Sequence, residues 1–500
     1  MEISLVSRFS SFLFPTFLLF FFFFLFLCKR CSSTPTPPNY APLKGYPVVG
    51  NIPYLIKNSH RLLDWSAQLL PLSPTGTVTV APFVFTANPA NVEHVSKTRF
   101  ANYHKPEPII AAISDCLGRC LATTNGAEWR LHRKAATNEF STASLRAFAY
   151  GSACDTLTAQ LLPLLLRVSR SGEVLDLTDA LERFAFDHTC SLVFGEGAGC
   201  LGGEGGCEGD RFFCAFETAA RLCVERAKQP FTLAWRIKKW LRVGSERRLR
   251  EAMEIVHAYV NRRMRRRPAA DSSGGRDDLM SRFTAGGHSE EFVRNNLISF
   301  VLAGRDTTPS ALTWFFWVLS SRLDVVAQIR EEIERIRSGR RQGETLFTLD
   351  DLRQMNYLQA AISETLRLYP PVPLVPRECL EDDELPDGAR VRRGWVVMYN
   401  AHAMGRREAL WGRDCEEYRP ERWLEEGVFR PRSSSVYPAF HAGARACVGK
   451  EVAYLVMKMV GASVLEKFDV EVVEASGRRR LLMAMKMEGG LQVKLKQRRA

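Results

Sequence analysis

The stretch FHAGARACVGK, Phe440 to Lys450, sets a lone cysteine among small residues, between Arg445 and Gly449. Small residues let a backbone approach a bulky partner closely, and an arginine two residues before Cys447 suits a partner that carries carboxylates or phosphates. What that partner is has to be read from the rest of the chain.

Five hundred residues, 46% of them hydrophobic, suffice for a large buried core. Length alone allows from one big domain to about three. The formal charge of +13 would suit nucleic acid, an anionic membrane surface or an acidic protein. No zinc-finger spacing and no basic stripe interleaved with aromatics is present, so nucleic acid is not expected as a partner. The basic run NRRMRRRP, Asn261 to Pro268, reads as a solvated helix end, with a localisation signal as the other reading. Thirteen cysteines without a repeating frame fit free thiols in a reducing compartment.

Phe9 to Cys28, FSSFLFPTFLLFFFFFLFLC, carries no charge over 20 residues. At about 1.5 Å per residue a helix of that length spans one bilayer core. Lys29 and Arg30 follow, then the proline-rich STPTPPNYAPLKGYPVVG. A cleaved signal peptide would have a shorter apolar core and a small-residue cleavage site. The reading is therefore a single-pass anchor over residues 1–30, a stiff linker over 31–50, and a catalytic body over 51–500 on the cytosolic side.

In the body, GTVTVAPFVFT (Gly76 to Thr86) alternates as two short strands, and helical periodicity dominates from there to about residue 370. Beyond Pro370 short strands and proline turns are expected, with a hairpin around Gly489 and Gly490. Gly197, Gly199 and Gly202 form a G-x-G-x-x-G inside a glycine-saturated stretch. With no βαβ unit around it, a surface loop is the better reading. Pro268 to Asp278 reads as a second loop. The fold class is mainly α with small β-sheets.

Leu297 to Ser320 is apolar enough to resemble a membrane span, but Arg305 and Asp306 in its middle would be costly in lipid. It reads as a long helix through a soluble core. Gly304 weakens such a helix, and Thr307 can bond back one turn and bend it, so AGRDTT has no evident packing purpose. An acid and an alcohol beside a local opening suit proton delivery, although any one of these residues alone could be core. Further on, Glu364 and Arg367 fall on one helix face that ends at Pro370, and Arg422 offers the same carboxylate a second cation.

Together FHAGARACVG, AGRDTT, ETLR, YRPERW and the Trp–Arg pair of WRLHR, in that relation along the chain, resemble a cytochrome P-450, a haem-thiolate monooxygenase, over almost the whole length after the anchor. The resemblance implies haem b as cofactor and Cys447 as the axial ligand of its iron. An anionic sulfur pushes electron density onto iron and favours O–O cleavage, which leaves His441 as a neighbour and not a ligand. Gly443 and Gly449 are implied to let the loop lie against the porphyrin. Arg445, Trp129, Arg133 and Arg377 are implied to meet propionates, and Phe440 and Gly304 to contact the haem. Asp306 and Thr307 are implied to be catalytic, and Glu364, Arg367 and Arg422 to form a structural triad.

AGRDTT, YNAHAMGRREALWG and FHAGARACVGKEVAY also resemble plant fatty-acid ω-hydroxylases and their relatives acting on jasmonoyl conjugates or sterol side chains. Ala303 stands where animal relatives often carry a haem-esterifying glutamate, and Ala444 where the haem loop usually carries proline. The resemblance implies a small lipophilic substrate, electrons from NADPH through NADPH–cytochrome P-450 reductase, and the endoplasmic-reticulum membrane. The basic residues Lys450, Arg130 and Lys134 could dock an acidic reductase. A haem-dependent isomerase or dehydratase would typically lack the Asp306–Thr307 pair, and a haem sensor would have little use for it.

Overall fold

A computed structural model describes residues 51–201, 207–229, 232–266, 278–339 and 346–498. The expected anchor and linker, Gly202, and the loop read at Pro268 to Asp278, apart from Asp278 itself, lie outside these residues. Among the described residues no helix is long and apolar enough to cross a membrane.

The helices that form or surround the site, numbered in chain order, are α1 (Glu107–Leu117), α2 (Gly126–Phe140), α3 (Leu177–Phe194), α4 (Glu208–Lys228), α5 (Glu290–Leu319), α6 (Asn356–Leu368) and α7 (Lys450–Lys467). Apart from four two-residue strands between residues 383 and 429, the strands are β1 (Thr77–Val80), β2 (Phe83–Thr86), β3 (Tyr103–His104), β4 (Leu175–Asp176), β5 (Leu374–Cys379), β6 (Val396–Asn400), β7 (Phe468–Ala475), β8 (Arg479–Leu481), β9 (Met485–Met487) and β10 (Leu491–Gln497). One sheet has the order β1-β2-β6-β5-β3, parallel only between β2 and β6. A second has the order β7-β10-β4, and β8 pairs with β9 alone.

Two main apolar cores result, beside a small third cluster of Ala360, Trp411, Cys415 and Trp423. A large helical one is centred on α5, α3 and α7, and a smaller one lies around the five-stranded sheet. α5 runs through the former for 30 residues, capped by the Ser289 side chain on the Phe292 amide. This is the soluble core helix expected from its central charges, extended by about two turns toward its N-terminus.

Two expectations fail here. Lys450–Lys467 is an 18-residue helix in the region read as strands and turns. Its sequence, KEVAYLVMKMVGASVLEK, is apolar almost all round, because it is buried on nearly every side, so it shows no amphipathic stripe to read. Nor do Gly489 and Gly490 close a hairpin. Both adopt positive φ and carry the chain from β9, paired with β8, to β10, paired with β7 and β4. Glycine is required at Gly490 because a Cβ there would lie 2.4 Å from Asp176 Oδ2.

Candidate active site

The loop from Phe440 to Gly449 crosses from the smaller core, which holds Ala442, to the larger, which holds Val452. The backbone N–H of Cys447 donates to the Phe440 carbonyl at 2.8 Å, folding the loop into a tight arch. Gly443 has φ +64°, and a Cβ there would lie 2.0 Å from the Ser96 carbonyl oxygen. Its smallness thus serves packing of the loop on the turn at His94–Thr98 and not approach to the cavity, which it does not line. Gly449 does line the cavity. Ala444, at the usual proline position, is exposed.

Above the arch is a cavity of about 440 Å³. The Cys447 side chain is ringed by protein yet open to it. Burial pushes the thiol up, while the Gly449 N–H, Arg133 and Lys450 pull it back toward thiolate. Across the cavity lies α5, contributing Ser299, Phe300, Ala303, Gly304, Thr307, Thr308 and Ala311. Val301, on the same helix, is fully buried in the core and does not line the cavity. The Thr307 hydroxyl donates to the Ala303 carbonyl at 2.8 Å. Pro309 lies inside the helix and lacks the N–H that would bond the Arg305 carbonyl, so one rung of the ladder is missing beside the acid–alcohol pair. Gly304 has a packing reason after all: a Cβ would sit 2.4 Å from Thr189 Oγ1 on α3. Asp306 is buried and does not line the cavity. Its carboxylate accepts from Arg305 Nη1 at 2.6 Å.

One flank of the cavity is cationic. Arg133, Arg377, Arg445 and Lys105 line it, and among the described residues none of the four pairs with a carboxylate. Arg445 Nη2 donates to Asn125 Oδ1 at 2.8 Å, its Nε is buried without a partner, and its guanidinium lies 4.4 Å from the Trp129 ring. Burial, with Arg377 and Arg133 nearby, pushes Arg445 down to about 9. Burial, with Arg445 and Arg377 nearby, pushes Lys105 down to about 6. Arg133 donates to the Ala446 carbonyl and Arg377 to that of Pro376. Buried cations that repel one another fit a ligand bringing two carboxylates, and a thiol facing the same cavity fits a ligand carrying a metal. Haem is such a ligand.

The residues Glu364, Arg367 and Arg422 also meet. Arg367 donates to Glu364 from Nε and Nη2, both at 2.7 Å, and Arg422 Nε lies 3.3 Å from the same carboxylate. Trp423 Nε1 and the Arg419 amide complete the set of donors at 3.0 and 2.8 Å. Arg367 also bonds the carbonyls of Gly405, Cys415 and Glu417, so this buried pair ties α6 to the segment preceding the cysteine loop.

Three contributors were not foreseen from sequence. Lys105 stands in YHKPE, which carries no pattern. Thr189 and His188 on α3 line the cavity behind Gly304, with His188 Nε2 buried and unpartnered. The segment Tyr103–Thr123 supplies Lys105, Leu121 and Ala122 to the cavity, and Val372–Pro376 supplies Val372. Phe212–Cys223 supplies nothing, because it packs inside α4 against α3 and the helix Gly244–Arg265. His441 lines the cavity at φ +61°, pushed down to about 4 by burial, with Arg377 and Lys105 adding to the shift.

A thiol on one wall, the acid–alcohol pair of α5 across from it and a flank of buried cations fit a haem-thiolate site, and comparison with known proteins agrees. The profile described as Cytochrome P450 matches residues 41–495, and the chain belongs to that family. It is 47% identical over 467 residues to cytochrome P450 CYP94D108 of Paris polyphylla, covering 92% of this chain and 93% of that one. To cytochrome P450 94B1 of Arabidopsis thaliana it is 39% identical over 472 residues, 91% of each chain. To cytochrome P450 94A1 of Vicia sativa it is 38% identical over 474 residues, 91% of this chain and 90% of that one. The protein is a haem-binding monooxygenase of the 94 group.

Proposed function

We propose that this monooxygenase hydroxylates the terminal or near-terminal carbon of a long-chain fatty acid. Electrons come from NADPH through NADPH–cytochrome P-450 reductase, and residues 1–30 hold the body to the endoplasmic-reticulum membrane. The observation that carries the reading is the division of the cavity wall. All its lysine and arginine cations belong to the flank that suits the two haem carboxylates, and the α5 side is apolar apart from Ser299, Thr307 and Thr308. With those cations met by the haem carboxylates, a fatty carboxylate finds no free cation inside, so the chain enters methyl-first and its last carbons reach the α5 side of the cavity.

Cys447 would hold the iron, with Arg133, Arg377, Arg445 and Trp129 about the haem edge and Phe440, Gly304 and Gly449 against its faces. Haem, when bound, supplies activation of dioxygen and insertion of one oxygen atom into a C–H bond. Thr307 holds a hydroxyl proton at the cavity wall, and Asp306 resupplies it from the buried side. Phe300 and Ala303 keep water from the substrate end. Lys450, Arg130 and Lys134 are exposed and suit an acidic reductase. The Glu364–Arg367–Arg422 group keeps the cysteine loop in place.

A primary C–H bond is stronger than its secondary neighbours, so terminal oxidation depends on positioning. Each 1.36 kcal/mol of preference shifts the product ratio about tenfold. The test is turnover with reductase and NADPH on saturated and unsaturated long-chain fatty acids, a jasmonoyl amino acid and a hydroxylated sterol, locating the new hydroxyl by mass spectrometry. Terminal or near-terminal products from the fatty acids are expected. A clear preference for the jasmonoyl conjugate or sterol would move the assignment to those substrates, and mid-chain or ring oxidation throughout would reject terminal chemistry.

A further inference from the structure

Behind α5, on the side away from Cys447, four charges meet out of water. Lys486 projects from β9, and β9 is fixed to α5 by two bonds to the Met485 carbonyl, from Ser310 Oγ at 2.7 Å and Trp314 Nε1 at 3.1 Å. Its Nζ lies 2.8 Å from Glu182 Oε1 on α3 and 3.6 Å from Asp306 Oδ1 on α5. The same Asp306 oxygen accepts from Arg305 Nη1, whose guanidinium packs 4.7 Å from the Phe213 ring of α4. Arg305 Nη2 lies 3.8 Å from Glu217 Oε2, a half-exposed carboxylate at the protein rim. Two cations thus balance two buried carboxylates, and Lys486 is the only group among the described residues that touches both carboxylates.

We propose that Lys486 is a positioning residue that divides its ammonium between Glu182 and Asp306, making the charge of each depend on the other and holding the Asp306 carboxylate beside Arg305, one residue from Thr307. The inference rests on the proton-delivery reading of Asp306 and Thr307. Its physical basis is that an ammonium between two carboxylates at unequal distances is pulled toward whichever is ionised. When Glu182 takes a proton, Lys486 turns wholly to Asp306. When Asp306 gives one up, Lys486 meets a stronger competitor to Glu182. Burial pushes the Glu182 carboxyl up, Lys486 pulls it down, and Asp306 pushes it up, so Glu182 reports on both partners.

The experiment uses ferric holoenzyme and reads two quantities. Infrared titration of carboxyl bands, with the Glu182 band assigned by its loss in Glu182→Gln, gives the protonation midpoint of Glu182. Hydrogen peroxide per NADPH consumed, with reductase and substrate, gives coupling. The midpoint should rise in Lys486→Met, fall in Asp306→Asn and return to the parent value in Lys486→Arg. Peroxide should increase roughly three- to tenfold in Lys486→Met, and by less than in Thr307→Ala, where the proton-transfer group itself is lost. It should increase no further when Lys486→Met is added to Thr307→Ala, because both act on one route. Carbon monoxide spectra matching the parent's establish that each variant is folded and loaded. An unmoved Glu182 midpoint in Lys486→Met, with Asp306→Asn uncoupled, overturns this inference and leaves proton delivery standing. Unchanged coupling in Asp306→Asn overturns the proton-delivery reading and the catalytic half of the inference with it.

Discussion

A thiol walled in by protein resists ionisation, and Cys447 shows what must be supplied against that resistance. Burial raises it, while one backbone N–H from Gly449 and the cations Arg133 and Lys450 lower it. A bound metal cation would complete the shift, since only the thiolate ligates. An imidazole at this position cannot provide the anionic push. Cys447→His is therefore expected to lose the red-shifted Soret band of the reduced carbon monoxide complex, read by difference spectroscopy, and retention of that band would refute the ligand assignment. Sequence made this residue and Arg445 readable because both sit in one short loop whose spacing is dictated by a single ligand. Lys105 was not readable, because it joins the cationic flank only when β3 pairs with β5 and carries residue 105 next to Arg377 and Arg445. Gly443 was readable as necessary but for another reason, since its contact is with Ser96 and not with the cavity.

Helix α5 is legible as an element and partly misleading in detail. Its charges at Arg305 and Asp306 excluded a membrane span. The two pair with each other, and Asp306 also meets Lys486 of β9, which no local pattern contains. Gly304 looks like a flaw in a helix until α3 is packed against it. An alanine there would drive its Cβ to 2.4 Å from Thr189 Oγ1 and 2.8 Å from Cγ2. Overpacking of this kind costs about 1–3 kcal/mol. Gly304→Ala should lower the thermal unfolding midpoint of the holoenzyme, and Thr189→Ala added to it should recover more than half of the loss, because only Cβ, at 3.2 Å, then remains in the way. An additive double variant would mean that the helices separate freely and that the contact is not what requires glycine. α7 illustrates the opposite limit: a helix buried on most faces carries no periodic signal, so its apolar run was taken with the strands around it.

At the scale of the whole molecule, acid exposes how the two cores were closed. His188 lies in α3 within the larger core, and His402 follows β6 beside the smaller one, between Arg406 and Arg479. Burial holds His188 down to about 4, and burial with the flanking arginines holds His402 well below the usual histidine range. Both are therefore neutral in the fold at neutral pH, whereas in the unfolded chain they take up protons near 6.5. The sign follows from the protons bound in each state. Above about 6.5 neither state is protonated and the full stability is present. Between about 6.5 and 4 the unfolded chain alone binds the proton, so stability falls with pH, by up to about 3 kcal/mol for His188 at 1.36 kcal/mol per unit. Below about 4 the folded His188 is protonated too and its share of the loss levels off. Unfolding of the holoenzyme followed in steps of pH should show this decline, and His188→Asn should flatten it by the contribution of one proton while leaving the slope from His402 in place. His188 is the sharper probe because its Nδ1 meets only the Ser152 hydroxyl, at 3.2 Å, and its Nε2 has no partner, so nothing on α3 or its neighbours is positioned to stabilise a charged ring. An unchanged slope in His188→Asn would mean that the ring is charged in the folded protein, and with it that the cavity wall behind Gly304 holds a counter-charge.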